Sequence, residues 1–267
     1  MSDLPTDQKS VREIVSIAKR AGDSIRSIFR GSYDIHKKSD QSPLTTADLA
    51  SHEIITEGLL GLGANLPVLS EESEDIPFST RQLWETYWLT DPLDGTRQFI
   101  KGKPEFTVNI ALVSNTSAIL GVIYLPMQDT TYYAVQGQGA FRIIGDQASQ
   151  MIQVCGQVPD TPRICGNQDH VGKSLKKLLE RLNQYELLSM GSSIKSCMVA
   201  EGSADLYPRY GPTSEWDTAA AQCVVEEAGG RFTDLSMNRL RYNTKESLLN
   251  PSFVVFGDNN FGWEKYL

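Results

Sequence analysis

The sequence predicts a mixed α/β protein built from two lobes, and three observations carry that prediction. Apolar residues recur at helical spacing near the start of the chain. The middle of the chain is a succession of short β-rich runs. Beyond a polar stretch at 147–162, strand-like and helix-like segments mix. The chain has 267 residues, enough for one large or two modest domains with a sizeable core. The boundary is expected at 150/151, giving lobes 1–150 and 151–267.

The elements follow in order. Val11, Ile14, Val15, Ala18, Ala21, Ile25, Ile28 and Phe29 fall on one face of a first helix, and Gly31 is placed to stop it. Ser-Pro and Thr-Thr in YDIHKKSDQSPLTTADLA read as a loop entering a second helix, whose apolar side is expected to carry Ala50, Ile54, Ile55, Leu59 and Leu62. Residues 66–69 read as a short strand ending in SEESED. TVNIALV (107–113), ILGVIYL (119–125) and residues 130–135 are rich in β-branched and aromatic residues and bounded by turn residues, which predicts an antiparallel meander. Gly137 and Gly139 read as a hairpin turn, because no helical pattern follows them as a phosphate loop would need. RICG (163–166) is a strand, KSLKKLLERL (173–182) a helix, 219–228 a helix closed by Gly229-Gly230, and SFVVFG (252–257) a late strand.

Composition narrows the function. Hydrophobic content is 40% and charged content 22%, as in ordinary globular proteins. A formal net charge of -8 without a polybasic face argues against nucleic acid polymers and anionic membranes as partners. Metal ions can still reverse the local charge and let an acidic protein bind an anionic substrate. Four dispersed cysteines, none in a C-x-x-C pair, and three scattered histidines argue against a zinc site and against a disulfide framework. Reduced cysteines in a cytoplasmic protein are expected. MSDLPTDQKS has no apolar signal core, and no apolar run is long enough to span a bilayer.

The chemistry is carried by acids at element ends. Glu71 and Glu72 follow one strand, Asp91 and Asp94 follow another in WLTDPLDGTRQF (88–99), Asp40 precedes the second helix and Asp217 precedes the helix at 219. Two carboxylates crowded at the end of an apolar strand repel each other. Hard divalent cations relieve that repulsion, since they bind several oxygen ligands and keep open positions for water and phosphate. Pro92 fixes a backbone angle, Gly95 relieves crowding, and Thr96 adds a hydroxyl at the same place. Each piece alone has a plain explanation. Asp-Pro and Asp-Gly make turns, Glu71-Glu72 suits a solvated patch, and Asp217 suits a helix N-cap.

In combination, EES (71–73), DPLDGT (91–96) and EWDTAAAQCVVEEAGG (215–230) resemble the signatures of the inositol monophosphatase superfamily of magnesium-dependent, lithium-sensitive phosphomonoesterases. The resemblance covers nearly the whole chain. KSDQSPLTTAD (38–48), GSSIKSCMVAEGSADLYPR (191–209) and GPTSEWDTAAA (211–221) are most similar to its bacterial 3'(2'),5'-bisphosphate nucleotidase branch, which hydrolyses adenosine 3',5'-bisphosphate (PAP) to AMP. Arg97-Gln98 after DGT and Ser214 before Glu-Trp-Asp depart from the usual pattern, at positions that touch no expected metal ligand.

The resemblance implies an α-β-α-β-α layered sandwich, with an α+β metal-binding lobe, an α/β substrate-binding lobe and a cleft between them. It implies that Glu71, Asp91 and the Leu93 carbonyl hold one Mg²⁺, and that Asp91, Asp94 and Asp217 hold a second. Asp40 is expected at a third, weaker ion. Thr96 orients the attacking water with Glu71 or Asp40. Gly191, Ser192, Ser193, Lys195 and Arg209 are expected to meet the substrate beside Glu71, Leu93, Asp94, Gly95, Thr96 and Asp217. Without the resemblance Lys195 reads as a solvated lysine. PAPS hydrolysis to APS is a further expectation of that branch. An inositol or other sugar phosphatase of the superfamily is the alternative, and a non-catalytic binder of phosphorylated ligands the second. A homodimer and a peripheral position on the inner membrane remain open from the sequence.

Overall fold

A computed structural model describes residues 4–31, 33–37, 43–166 and 172–267. Helix α1 (Gln8–Phe29) is capped by Asp7, whose carboxylate accepts from the Lys9 and Ser10 amides, and it buries the predicted apolar face. A short hairpin, β1 (Ile35–Lys37) with β2 (Pro43–Thr45), leads into α2 (Thr46–Gly61). Of the expected apolar side, Ile55 and Leu59 are buried and Ile54 and Leu62 pack against the core, and the buried face extends further to Ala47, Asp48 and Ser51. The apolar pattern could not show that extension, because its two polar residues are turned inward for a task described below.

Strand β3 (Val68–Ser70) precedes the short α3 (Phe78–Arg81), β4 (Thr86–Asp94) and the short α4 (Thr96–Ile100). The predicted meander follows as β5 (Thr107–Ser114), β6 (Ser117–Leu125) and β7 (Thr130–Val135), and it continues beyond the predicted runs into β8 (Gly139–Ile144) and β9 (Gln150–Ile152). These strands form a seven-stranded sheet in sequence order, antiparallel except for the parallel pair β3–β4. Gly137 and Gly139, both at positive φ, make the expected β7–β8 hairpin turn. The second sheet, ordered β11-β10-β12-β14-β13, comprises β10 (Arg163–Gly166), β11 (Glu186–Ser189), β12 (Leu206–Arg209), β13 (Arg231–Asp234) and β14 (Phe253–Phe256). Helices α5 (Lys173–Leu182), α6 (Ile194–Ala200) and α7 (Ala219–Glu227) complete the chain.

Alternation along the strands builds the layers. Val108, Ile110 and Leu112 of β5 pack with α1 and α2, while Ala111 and Val113 face α6 and α7. On the second sheet, Phe253 and Val255 of β14 join that inner layer, while Val254 and Phe256 pack with Leu175, Leu178 and Leu179 of α5. The order is therefore α1/α2, seven-stranded sheet, α6/α7, five-stranded sheet, α5, which is the predicted α-β-α-β-α sandwich. Both faces of each sheet are covered, and this explains the nearly continuous apolar runs in TVNIALV and SFVVFG. Among the described residues, no helix is long and apolar enough to cross a membrane.

Helix α7 crosses β6 at backbone contact: a Cβ on Gly121 would lie 2.3 Å from the Ala220 carbonyl oxygen. Gly121→Ala therefore forces α7 off the sheet. The expected cost is about 1–3 kcal/mol in unfolding free energy, measured by urea titration. An unchanged midpoint would show that the layer yields freely.

Candidate active site

The parallel β3–β4 pair begins the site. Ser70 pairs with Thr90, and the Glu71 amide donates to the Thr90 carbonyl at 3.1 Å. Glu71 and Asp91 are thus each one residue past a paired position on adjacent strands. Asp91 pairs with Asn109 and Asp94 with Thr107, so three steps on β4 match two on β5. That one-residue bulge has a direct consequence. In a regular strand residues three apart point to opposite faces, but one extra residue returns both aspartates to the same side. Pro92 fits a bulge because it has no ladder hydrogen to offer. The Asp91 Oδ1 accepts from the Leu93 amide at 3.0 Å and fixes the turn.

Asp217 arrives from the opposite layer. It is not the N-cap of α7, as the sequence suggested. It ends a short 3₁₀ turn, Glu215–Asp217, and its Oδ2 accepts from the Ser214 amide at 2.7 Å in a capping box, so Ser214 does touch an expected metal ligand, contrary to the sequence reading. Glu71, Asp91 and Asp217 each offer an oxygen within 4.8 Å of the others. Asp94 lies beside them, with its Oδ2 taking the Ser193 amide at 2.6 Å.

Burial, with the charges of Glu71, Asp94 and Asp217, pushes Asp91 well above the usual carboxylate range. Burial, with Asp94 and Glu71, pushes Asp217 up to about 8. Asp94 is raised by burial, against the pull of Lys195 and the Ser193 amide. Among the described residues, the buried Asp91 Oδ2 has no hydrogen-bond donor. A hard divalent cation fits these facts together, because it supplies the orphaned oxygen with a partner and reverses the direction of the shifts.

Thr96 stands at the start of α4, after Gly95 at φ +102°. Its hydroxyl lies 3.1 Å from Asp48 Oδ1 and 3.2 Å from the Leu93 carbonyl. One proton serves both, and the carboxylate is the stronger acceptor. Sequence reasoning paired Thr96 with Glu71 or Asp40 and passed over Asp48. The signal was present in TTAD: Thr45 and Asp48 form a capping box, with the Thr45 amide and hydroxyl donating to Asp48 Oδ2 at 2.8 and 2.5 Å. One Asp48 oxygen holds the helix start and the other holds Thr96. Burial raises its pKa, while the bonds from Thr45 and Thr96 oppose the rise. On the same helix face Ser51 donates to the Pro92 carbonyl at 2.7 Å, tying α2 to the bulge. Asp40 lies outside the described residues.

A cleft of about 800 Å³ opens beside the carboxylates, and Asp217 belongs to both. Asp94, Gly95, Gly191, Ser192, Ser193, Lys195 and Arg209 line it, as the sequence placed them together; Glu71, Leu93 and Thr96 do not. Ser193 spends its side chain inward, 2.7 Å from the Thr107 hydroxyl and 2.9 Å from Asn109 Oδ1. Ser192 adopts φ +46°, and among the described residues its buried hydroxyl has no hydrogen-bond partner. The reading of Lys195 as solvated does not hold, for it is 7% exposed. Its Nζ donates to the Met190 carbonyl at 3.1 Å and lies 5.1 Å from the Tyr207 ring centre. Burial pushes the Lys195 ammonium down to about 8, with Asp94 opposing and the nearby Arg209 adding to the fall.

The chain is similar to known proteins over nearly all its length. Residues 7–257 match the Inositol monophosphatase family. The 3'(2'),5'-bisphosphate nucleotidase CysQ of Shigella flexneri is 44% identical over 246 residues, 91% of this chain and 98% of the relative. Its namesake in Haemophilus influenzae is 37% identical over 261 residues, 97% of each. Among solved structures, CysQ from Bacteroides thetaiotaomicron, a bacterial member of the inositol monophosphatase family, superposes with a TM-score of 0.83 at 38% identity, covering 95% of this chain and 98% of that one. The extragenic suppressor protein suhB of Bartonella henselae shares the fold, with a TM-score of 0.80 at 24% identity over 97% of this chain and 98% of its own. With its layers, its bulged aspartates and its sequence all in agreement, this chain belongs to the inositol monophosphatase family.

Proposed function

We propose that the chain is a magnesium-dependent 3'(2'),5'-bisphosphate nucleotidase that hydrolyses PAP to AMP and phosphate. The observation that carries the reading is the pair Lys195 and Arg209. Two cations set close together in a cleft repel each other unless an anion sits between them, and here the cleft adjoins a carboxylate cluster suited to a first phosphate. The curated relatives named above as bisphosphate nucleotidases support the same substrate class.

Glu71, Asp91 and the Leu93 carbonyl would hold one magnesium ion, and Asp91, Asp94 and Asp217 a second. Bound magnesium screens the charge of the phosphate and acidifies a water. The residues do the rest. Thr96 donates its proton to Asp48 and keeps a lone pair to accept a hydrogen bond from the attacking water. That arrangement turns the water oxygen toward phosphorus, and Asp48 is placed to take up the proton through Thr96. The new P–O bond forms as the bond to the 3'-oxygen breaks, and that oxygen leaves with the electron pair and takes a proton from a second water of the solvent. Water attacks directly, without a phosphoenzyme. The same hydrolysis would convert PAPS to APS.

Phosphate release from PAP and from inositol 1-phosphate, each with and without magnesium, tests the reading. Magnesium-dependent release with PAP strongly preferred is expected, as is inhibition by millimolar lithium. A preference for inositol 1-phosphate would assign the chain to the sugar-phosphate branch. No release from any ester would leave a binding protein.

Lys195→Ala and Arg209→Ala separate the second phosphate from the first. Each should raise KM for PAP by about 10- to 100-fold, the scale of a charge-assisted contact, with a smaller change in kcat. Inositol 1-phosphate should be affected much less. Equal losses on both substrates would show that the pair does not serve a second phosphate.

A further inference from the structure

Among the described residues, the cleft carries one carboxylate that the reaction does not use. Its lining carries the cations Arg97, Lys101, Lys103, Lys173, Lys195 and Arg209, and the acids Asp94, Asp217 and Glu105. Asp94 and Asp217 are accounted for by the metal centre. Glu105 is half-buried and lies outside the carboxylate cluster. Among the described residues its carboxylate makes no hydrogen bond or ion pair. A carboxylate facing a phosphate cleft opposes phosphate binding unless a donor of the substrate meets it.

The position of Glu105 is built. A Cβ on Gly95 would lie 2.8 Å from the Glu105 carbonyl oxygen, and a Cβ on Gly191 would lie 2.8 Å from the same atom. Both glycines therefore admit this stretch of backbone, one beside Asp94 and one at the start of the loop that leads to Lys195. The carboxylate itself rests on Gly191, where a Cβ would lie 3.0 Å from Glu105 Oε2. Glu105 is thus wedged between the metal end of the cleft and the cationic end. Gly95 has the second reason, noted above, of a positive φ.

We propose that Glu105 is a specificity-determining residue that accepts a hydrogen bond from the ribose 2'-hydroxyl. The inference rests on the nucleotidase reading, which puts the reacting phosphate on the 3'-oxygen at the metal end. The substrate donor nearest that phosphate is then the hydroxyl on the neighbouring carbon. An ionised carboxylate is the strongest available acceptor for a sugar hydroxyl, and dinucleotide-binding folds use an acid on the ribose in the same way. The same group would be unrewarded by a 2'-deoxyribose, which leaves the charge facing phosphates without a donor.

The test compares kcat/KM for adenosine 3',5'-bisphosphate and its 2'-deoxy analogue in the wild type, Glu105→Gln and Glu105→Ala. The wild type should prefer the ribose substrate by about 10- to 100-fold, the value of a hydrogen bond to a charged group. Glu105→Gln, which keeps a neutral acceptor, should shrink the ratio, and Glu105→Ala should bring it near one. Circular dichroism and a magnesium-induced rise in Tm check that both variants are folded. A wild type without preference, or a ratio unmoved in both variants, overturns the proposal. So does an equal loss on both substrates, which would mean that Glu105 acts only through the field at Lys195. A wild type that hydrolyses another phosphomonoester but neither bisphosphate overturns the substrate reading first and this inference with it.

Discussion

Asp91→Asn reduces phosphate release by about 10³-fold or more. Metal assistance contributes several kcal/mol to such reactions, and each 1.36 kcal/mol is a factor of ten. Asp91 is the residue on which that loss concentrates. It is 1% exposed, its Oδ2 has no donor among the described residues, and it belongs to the cluster with Glu71 and Asp217. The amide would still accept from the Leu93 backbone, so the bulge survives and the effect is electrostatic. A second readout follows from the same facts. Metal-free wild type holds three buried or half-buried carboxylates against one another, and removing one charge relieves them. Asp91→Asn should therefore have a higher Tm than the wild type without magnesium, and magnesium should no longer raise it. Thermal melts with and without the ion check this. Substantial turnover, or a retained magnesium-induced rise, would remove Asp91 from the metal centre.

The second large effect separates chemistry from metal binding. Thr96→Ala should lower kcat by about 10²- to 10⁴-fold, the range of a positioned acid–base group, with KM and the magnesium-induced rise in Tm near wild type. Thr96→Ser restores the hydroxyl and should recover much of the loss. Asp48→Asn should lower kcat by at least as much, because its amide takes up no proton and its one oxygen cannot accept from both Thr45 and Thr96. Since Thr96 and Asp48 are bonded at 3.1 Å and act as one unit, the double variant should be little worse than either single one. Multiplicative losses would show two independent roles. Loss of the magnesium response in Thr96→Ala would make Thr96 a metal-site residue.

Local patterns were legible in the sequence because each is completed by its own neighbours. Helix α5 has the predicted bounds, α7, β5 and β6 fall within a residue or two of theirs, and α1 ends just before Gly31, as expected. Long amphipathic periods and fully apolar strands state their partners' character in advance. The short elements α6, β11, β12 and β13 were not legible. Each has seven residues or fewer, and α6 reads as IKSCMVA, with a lysine and a serine that are buried only because two sheets close over them. Likewise the apolar side of α2 was legible but its polar part was not, since Asp48 and Ser51 face inward toward residues more than forty positions away in the chain.

The sequence by itself determined the alternation of helices and strands, the acids at element ends, and the motifs that mark the family. These depend on residue type and short spacing. Tertiary structure decided how the acids act together. The β4–β5 register turned Asp91 and Asp94 to one side, which no strand periodicity foretells. The parallel β3–β4 pairing set Glu71 beside Asp91, and the middle helical layer brought Asp217 across from α7. The burial of Lys195 and the bond between Thr96 and Asp48 belong to the same class. All are contacts between segments far apart in the chain. Their geometry is fixed by register and packing, and neither exists until the layers have closed.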